Sequence, residues 1–380
     1  MSRYWNNRVK NISPYVPGEQ PRDRKFIKLN TNENPYPPSP KVIKSIQDAS
    51  NERLRLYPDP QCTELREAIA RRYGVNSGQV FAGNGSDEIL AFAFAAFFES
   101  KNGNEADSIL FPDITYSFYP VYATLWDIPY RTIPLGGDFS INTADYHMPS
   151  GGVVFPNPNA PTGIPILLSE ILSLAEYLEK LDKVLIVDEA YAAYGAESAV
   201  PRLNKHGNIL TVHTLSKSAS LAGLRGGFAI GSSELIEALC RVRDSFNSYT
   251  VDRLALAGAE AAVSDAAYYD EINRRVIATR ERVSRKLKGN GFTVLPSAAN
   301  FIFIKAPNKT LSTKSEPCIN GVDFMAALRE KGILVRHFKK SPIEKNRIAD
   351  YLRVSIGTDE EMDAFLEACA TIIGQKGNTE

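Results

Sequence analysis

Val184-Leu185-Ile186-Val187 is an uninterrupted apolar run that ends in Asp188-Glu189-Ala190-Tyr191. A strand with one solvated face alternates apolar and polar residues. A strand that is apolar at every position is covered on both faces, as strands of a parallel sheet are. The acid then stands at the carboxyl end of the strand, where open α/β sheets hold their ligands. A buried aspartate there needs a partner, and a protonated ring nitrogen would serve.

Residues 208–213 form a second β-type run. It opens into Thr214-Leu215-Ser216-Lys217-Ser218-Ala219-Ser220-Leu221-Ala222-Gly223-Leu224-Arg225-Gly226-Gly227. The lysine can condense with a carbonyl compound, while the hydroxyls and Arg225 can hold a phosphate. Pyridoxal phosphate carries both groups. On this stretch alone, a solvated lysine and a salt-bridged arginine in an ordinary loop serve equally well. On the other side, Val153-Val154-Phe155 runs into Pro156-Asn157-Pro158-Asn159-Ala160-Pro161-Thr162-Gly163, and a helix with Ile171, Leu174, Ala175 and Leu178 on one face follows. Further upstream, Val80-Phe81-Ala82 leads into Gly83-Asn84-Gly85-Ser86-Asp87-Glu88, with Ser86 expected as the N-cap of an apolar helix. Free N–H groups at such a helix start suit a phosphate. A third glycine at dinucleotide spacing is missing, as is Gly-Lys-[Ser/Thr], so neither nucleotide motif is present. Four junctions, near residues 83, 156, 188 and 214, thus supply a phosphate cradle, an uncharged loop, an acid and a lysine. The predicted fold class is α/β, with a mostly parallel central sheet whose loops converge at one edge.

Residues 1–40 are rich in turn formers and read as an irregular arm or as a lid. Tyr57, before Pro58, is expected in an extended loop. Tyr116, Phe118, Tyr119 and Tyr122 read as core, with Tyr116 also a candidate stacking face for a planar ring. A helical stretch covers roughly 251–289. Phe292-Thr293-Val294-Leu295, Asn300-Phe301-Ile302-Phe303-Ile304, Ile333-Leu334-Val335-Arg336 and Tyr351-Leu352-Arg353-Val354-Ser355-Ile356 then read as strands of an α+β tail. Its last helix opens on a capping box of Thr358 and Glu361. Arg336 and Arg353 are either surface pairs or a clamp for a doubly charged anion. The expected organisation is an arm over 1–45 that also enters a small domain, a large domain over 46–290, and a small α+β domain over 291–380.

The 44 basic and 44 acidic side chains cancel, which argues against nucleic acid or a membrane surface as the main partner. Residues 1–10 lack an apolar signal core, and the longest apolar run, 89–98, is too short to span a bilayer. Cys62, Cys240, Cys318 and Cys369 are far apart and read as reduced thiols of a cytoplasmic protein. His147, His206, His213 and His337 show no ligand spacing, so no metal is expected.

Taken together, Asn30-Thr31-Asn32-Glu33-Asn34-Pro35-Tyr36, Tyr57-Pro58-Asp59-Pro60, Gly83-Asn84-Gly85-Ser86-Asp87-Glu88, Asp188-Glu189-Ala190-Tyr191, Thr214-Leu215-Ser216-Lys217 with Leu221-Ala222-Gly223-Leu224-Arg225, and Leu352-Arg353-Val354-Ser355-Ile356-Gly357-Thr358 are similar in kind and order to motifs of the fold type I pyridoxal-phosphate aminotransferases. The chain most closely resembles the histidinol-phosphate aminotransferase family, over almost its whole length. The resemblance implies that Lys217 holds pyridoxal 5'-phosphate as an internal aldimine and moves the proton between Cα and C4′. Asp188 would pair with the pyridinium nitrogen, Tyr191 would bond the ring hydroxyl, and Tyr116 would stack on the ring. Gly85, Ser86, the Asp87 backbone, Thr214, Ser216 and Arg225 would hold the phosphate, with Tyr57 reaching it from the neighbouring subunit of a homodimer. Arg336 and Arg353 would clamp the substrate phosphate or carboxylate, with Tyr15 and Asn32 on the lid.

Two departures stand out. Ala160 occupies the place of the family's ring-hydroxyl asparagine, so either Asn159 substitutes or Tyr191 acts alone. The segment Pro112-Asp113-Ile114-Thr115-Tyr116 is also two residues longer than usual. The implied reaction is histidinol-phosphate:2-oxoglutarate transamination, a ping-pong exchange through a pyridoxamine form. Alternatives are an aromatic amino-acid aminotransferase, a decarboxylase of threonine phosphate, and a non-catalytic ligand-sensing domain.

Overall fold

The computed structural model describes residues 3–21, 24–99, 107–307, 319–338 and 347–374, so the expected thiol of Cys318 lies outside the described residues. A two-residue strand, β1 (Ile27–Lys28), precedes the main sheet. That sheet contains β2 (Val80–Gly83), β3 (Ile109–Pro112), β4 (Tyr130–Ile133), β5 (Gly152–Pro156), β6 (Leu185–Asp188), β7 (Ile209–Thr214) and β8 (Gly227–Ile230). Their order is β2-β8-β7-β6-β5-β3-β4. β8 runs antiparallel to both neighbours, and every other pairing is parallel. Two reversals cancel, so β2 points the same way as β5, β6 and β7. Their carboxyl ends share one edge, and the register sets Gly83 and Thr214 beside Gly227, and Pro156 beside Asp188.

The apolar run at 184 behaves as its composition demands. Val153, Phe155, Leu185 and Val187 face one core with Ile171, Leu174 and Leu178 of the helix Leu168–Glu179. Val154, Ile186, Leu210 and Val212 face the other core with Ile89, Phe94 and Leu239. The period of two splits one run between two cores, and each fully buried aliphatic side chain contributes about 1.5–3 kcal/mol.

After β8 come the helices Ser233–Phe246, Arg253–Ser264 and Ala266–Gly289. The expected single helical stretch is therefore two helices that meet at Asp265. The four-stranded sheet that follows has the order β12-β13-β10-β9, from β9 (Thr293–Val294), β10 (Phe301–Lys305), β12 (Arg336–His337) and β13 (Tyr351–Ser355). β11 (Ile333–Leu334) pairs in parallel with β1 instead. The stretch expected as one strand, Ile333-Leu334-Val335-Arg336, thus crosses between two sheets at Val335. Thr358 and Glu361 form the expected capping box of the last helix. The expected N-cap at Ser86 is not observed. Asn84 takes that position, the helix starts at Gly85, and no side chain caps it.

Candidate active site

The four chemistry-bearing junctions converge. One cleft is lined by Ser86 and Asp87 after β2, Pro156 and Ala160 after β5, Asp188 and Tyr191 after β6, and Thr214, Ser216 and Lys217 after β7. Arg225, Tyr116, Arg336, Arg353 and the arm residues Tyr15 and Asn32 complete it. Residues separated by most of the chain meet because the loops leave one sheet edge.

Asp188 is buried at the end of β6. Its Oδ1 accepts from the Ala190 N–H at 3.1 Å, and its Oδ2 accepts from the Tyr119 hydroxyl at 3.1 Å. Burial pushes its carboxyl up to about 6 against these two donors. Lys217 donates from Nζ to the Thr31 carbonyl at 3.0 Å. Burial, aided by the Arg353 charge, pulls its ammonium down to about 8, which makes the neutral amine accessible near physiological pH. The arm therefore roofs the lysine, as a lid would.

The part of the cleft after β2 and β7 is built from backbone and small groups. The helix Gly85–Phe97 presents its first-turn N–H groups uncapped. Gly85 has φ +81°, and a Cβ there would stand 2.9 Å from Arg225 Nη2. A Cβ on Gly227 would stand 2.6 Å from the Gly85 carbonyl carbon, so β8 starts hard against the helix start. Arg225 itself is left-handed, at φ 55°, and donates to Asp87 Oδ2 at 3.0 Å. Tyr116 donates to Asp87 Oδ1 at 2.6 Å. The Thr214 hydroxyl accepts from the Ser216 N–H at 3.1 Å, while the buried Ser216 hydroxyl has no partner. An unpaired buried hydroxyl beside free helix N–H groups and an arginine fits a phosphate. With Lys217 and Asp188 at the other end, the residues present fit pyridoxal phosphate.

In the four-stranded sheet, Arg336 and Arg353 are register partners on adjacent antiparallel strands. Arg353 donates to the Asn30 carbonyl at 3.1 Å and leaves its buried Nε unpaired. Arg336 donates to the carbonyls of Val16 at 2.9 Å and Pro17 at 3.2 Å. Burial lowers the pKa of Arg353. Tyr15 stacks on Phe118 with centroids 4.4 Å apart.

Other expected residues lie elsewhere. Asn159 is fully buried outside the cleft lining. Its amide nitrogen donates to the Ile114 carbonyl at 2.9 Å and to the Thr162 hydroxyl at 3.2 Å, and its oxygen accepts from Thr115 at 3.0 Å. These bonds hold the loop, and Ala160 faces the cleft in its stead. Tyr57 is 79% exposed, away from the cleft, stacked on Tyr249 at 4.6 Å. Sequence reasoning passed over three contributors. Tyr119 was grouped with core aromatics, and no spacing links it to Asp188. Thr31 acts through its carbonyl, which any residue would carry. Ser355 contacts Asn32, and its signal was present, since it stands two residues from Arg353 on the same strand face.

Among the described residues no helix is long and apolar enough to cross a membrane. The family model "Aminotransferase class I and II" matches residues 24–369. The chain is 52% identical over 367 residues to the histidinol-phosphate aminotransferase of Clostridium acetobutylicum, covering 97% of this chain and 98% of that one. It is 51% identical to histidinol-phosphate aminotransferase 1 of Bordetella parapertussis, covering 98% and 99%. In fold it is similar to the crystal structure of histidinol-phosphate aminotransferase from Sinorhizobium meliloti in complex with pyridoxal-5'-phosphate, with TM-score 0.82, 22% identity and 98% of each chain covered.

Proposed function

The chain belongs to the class I and II aminotransferases, and from that premise we propose that it moves the amino group of histidinol phosphate to 2-oxoglutarate with pyridoxal phosphate as cofactor, a step of histidine biosynthesis. Its relatives of about half identical sequence carry that name over their full length. The observation that carries the substrate is the arginine pair. Like charges placed directly opposite across two strands are destabilising, and neither arginine has an ion-pair partner among the described residues. A doubly charged phosphate, or the carboxylate of the second substrate, would neutralise them.

Bound in the cleft, pyridoxal phosphate supplies a carbonyl carbon that exchanges amines and a pyridinium ring that accepts the electron pair left at Cα. Asp188 would hold the proton on the ring nitrogen. Lys217 would hold the cofactor through its carbonyl carbon and, as a free amine of lowered basicity, would carry the proton from Cα to C4′. The helix start, Ser216, Thr214 and Arg225 would hold the phosphate end. Tyr116 in the cleft lining would cover the ring, and Tyr15 with the arm would exclude water.

The finer assignments follow from the same reading. The enzyme acts in the cytoplasm as a homodimer, with Tyr57 reaching the partner's phosphate site. Support comes from the exposed apolar strip of Leu54, Leu56, Tyr57, Phe246 and Tyr249. The chain divides into an arm over 1–45, a large domain over 46–290 and a small domain over 291–380.

The test is a single-turnover spectrum. Cofactor-loaded protein mixed with histidinol phosphate, without 2-oxoglutarate, loses its visible band. Tyr15 and Phe118 near the mouth favour a second reading, an aromatic amino acid as donor, in which phenylalanine alone removes the band. Loss with neither would overturn both readings.

A further inference from the structure

Asn32 is among the most constrained residues of the cleft. It is 1% exposed and left-handed, with φ 56°. All four of its polar groups are engaged within the protein. The direction of each bond can be read from the one donor whose polarity is fixed. The Asn32 backbone N–H donates to Ser355 Oγ at 2.8 Å. The Ser355 hydroxyl, having accepted there, donates to Asn32 Oδ1 at 2.9 Å. The amide is thereby oriented, and Asn32 Nδ2 donates to Tyr191 Oη at 3.0 Å. The Asn32 carbonyl accepts from Asn300 Nδ2 at 2.9 Å. At the end of this chain Tyr191 accepts one bond, and its own proton is free to point into the cleft. A hydroxyl that accepts is polarised into a stronger donor.

Ala160 gives this arrangement its weight. Its methyl packs with Ala299, Phe301 and Tyr191, and it lines the cleft without a donor. Asn159 is committed to its own loop. We propose that Asn32, locked by Ser355, is the positioning residue that aims the Tyr191 hydroxyl at the cofactor's ring oxygen, offsetting the side-chain amide that position 160 lacks. This rests on the pyridoxal phosphate reading of the cleft. It moves Asn32 from a substrate contact on the lid to an organiser of Tyr191, and it gives Ser355 a role. The same strand face carries Arg353, bonded to Asn30, so the anion clamp and the ring-oxygen donor are tied to one three-residue segment of the arm.

The readout is the pH at which the visible band of the loaded protein titrates. Donation to the ring oxygen weakens its hold on the proton it shares with the Lys217 nitrogen. Losing the donation moves the midpoint up by on the order of one pH unit, the effect of one hydrogen bond to a charged oxygen. Asn32→Gly tolerates the left-handed backbone and removes the amide without adding charge. It is expected to raise the midpoint. Ser355→Ala is expected to raise it by less, and Ser355→Thr to restore it. Arg353, Asp188 and Tyr15 also face Tyr191, and these substitutions leave them in place. In an Ala160→Asn background the effect of Asn32→Gly should shrink, because a second donor is present. An unmoved midpoint in both Asn32→Gly and Ser355→Ala, or an equal shift in the two backgrounds, overturns the inference. If the unaltered chain forms no band with pyridoxal phosphate, the reading of the cleft fails first and takes this inference with it.

Discussion

The hydroxyl of Tyr119 stands 3.1 Å from Oδ2 of Asp188, bridging 69 residues of sequence in the interior of the sheet. It is one of two donors that keep a buried carboxylate ionisable, the other being the Ala190 N–H. Tyr119→Phe removes one of them without changing the ring. The Asp188 carboxyl then rises further, and its hold on a ring cation weakens by about 1–3 kcal/mol, or roughly five- to 150-fold in cofactor affinity. Equilibrium titration of the apoprotein with pyridoxal phosphate measures this. An unchanged dissociation constant would show that Tyr119 is only packing.

Lys217 should declare its lowered basicity during reconstitution. Only the neutral amine attacks a carbonyl, and burial places its midpoint at about 8 rather than near 10.5. The rate of cofactor uptake by apoprotein is therefore expected to rise through pH 8 and level off above it. A rate still climbing at pH 10 would mean that the ammonium is not desolvated.

Removing the cofactor should change how stability depends on pH. Burial raises Asp188 to about 6 and Glu189 to about 7. A raised carboxyl contributes stability that is full below its unfolded value, near 4, and is lost as pH rises through the folded one. Apoprotein is thus expected to melt lower at pH 8 than at pH 5. Holoprotein should lose less, because a ring cation compensates the Asp188 charge while Glu189 keeps its penalty. Parallel melting curves of the two forms across this window would contradict the pairing.

Arg353→Lys keeps the charge but loses the planar fork and the bond to Asn30. The Michaelis constant for a phosphate-bearing donor is expected to rise at least tenfold, with a smaller change in turnover. Equal losses in turnover and specificity would instead place Arg353 at the reacting atoms.

Tyr57 offers a test by mixing. Lys217→Ala and Tyr57→Ala chains are each expected to be weakly active alone. If Tyr57 serves the opposite subunit, random mixing restores about one quarter of the unaltered activity, since half the dimers carry one intact site. No recovery would confine each site to its own chain.

Much of this site was legible before any coordinates. An apolar run ending on an acid located β6 and Asp188, and a lysine among hydroxyls located the loop after β7. Such signals are local, because composition and spacing reflect the strand that bears them. Failures came where a residue's role depends on distant partners. The sequence lets Asn159 reach a ring, yet Ile114, Thr115 and Thr162 claim its amide. Ser86 has the residue type of a cap, but Gly85 before it adopts the left-handed backbone, and the helix starts two residues earlier than that cap would place it, with Asn84 as N-cap. The stretch from Ile333 to Arg336 is apolar enough for one strand, and only the position of β1 explains why it changes sheets.

The shared edge of β2, β5, β6 and β7 has a counterpart at the opposite rim of the sheet. There the turns before β6 and β7, around Asp182 and Gly207, carry none of the cleft residues. The cleft residues thus stand at one rim of the sheet, and the turns of the other rim only connect. The far rim is where new termini could be opened, or a reporter domain spliced in, without Lys217 registering the change.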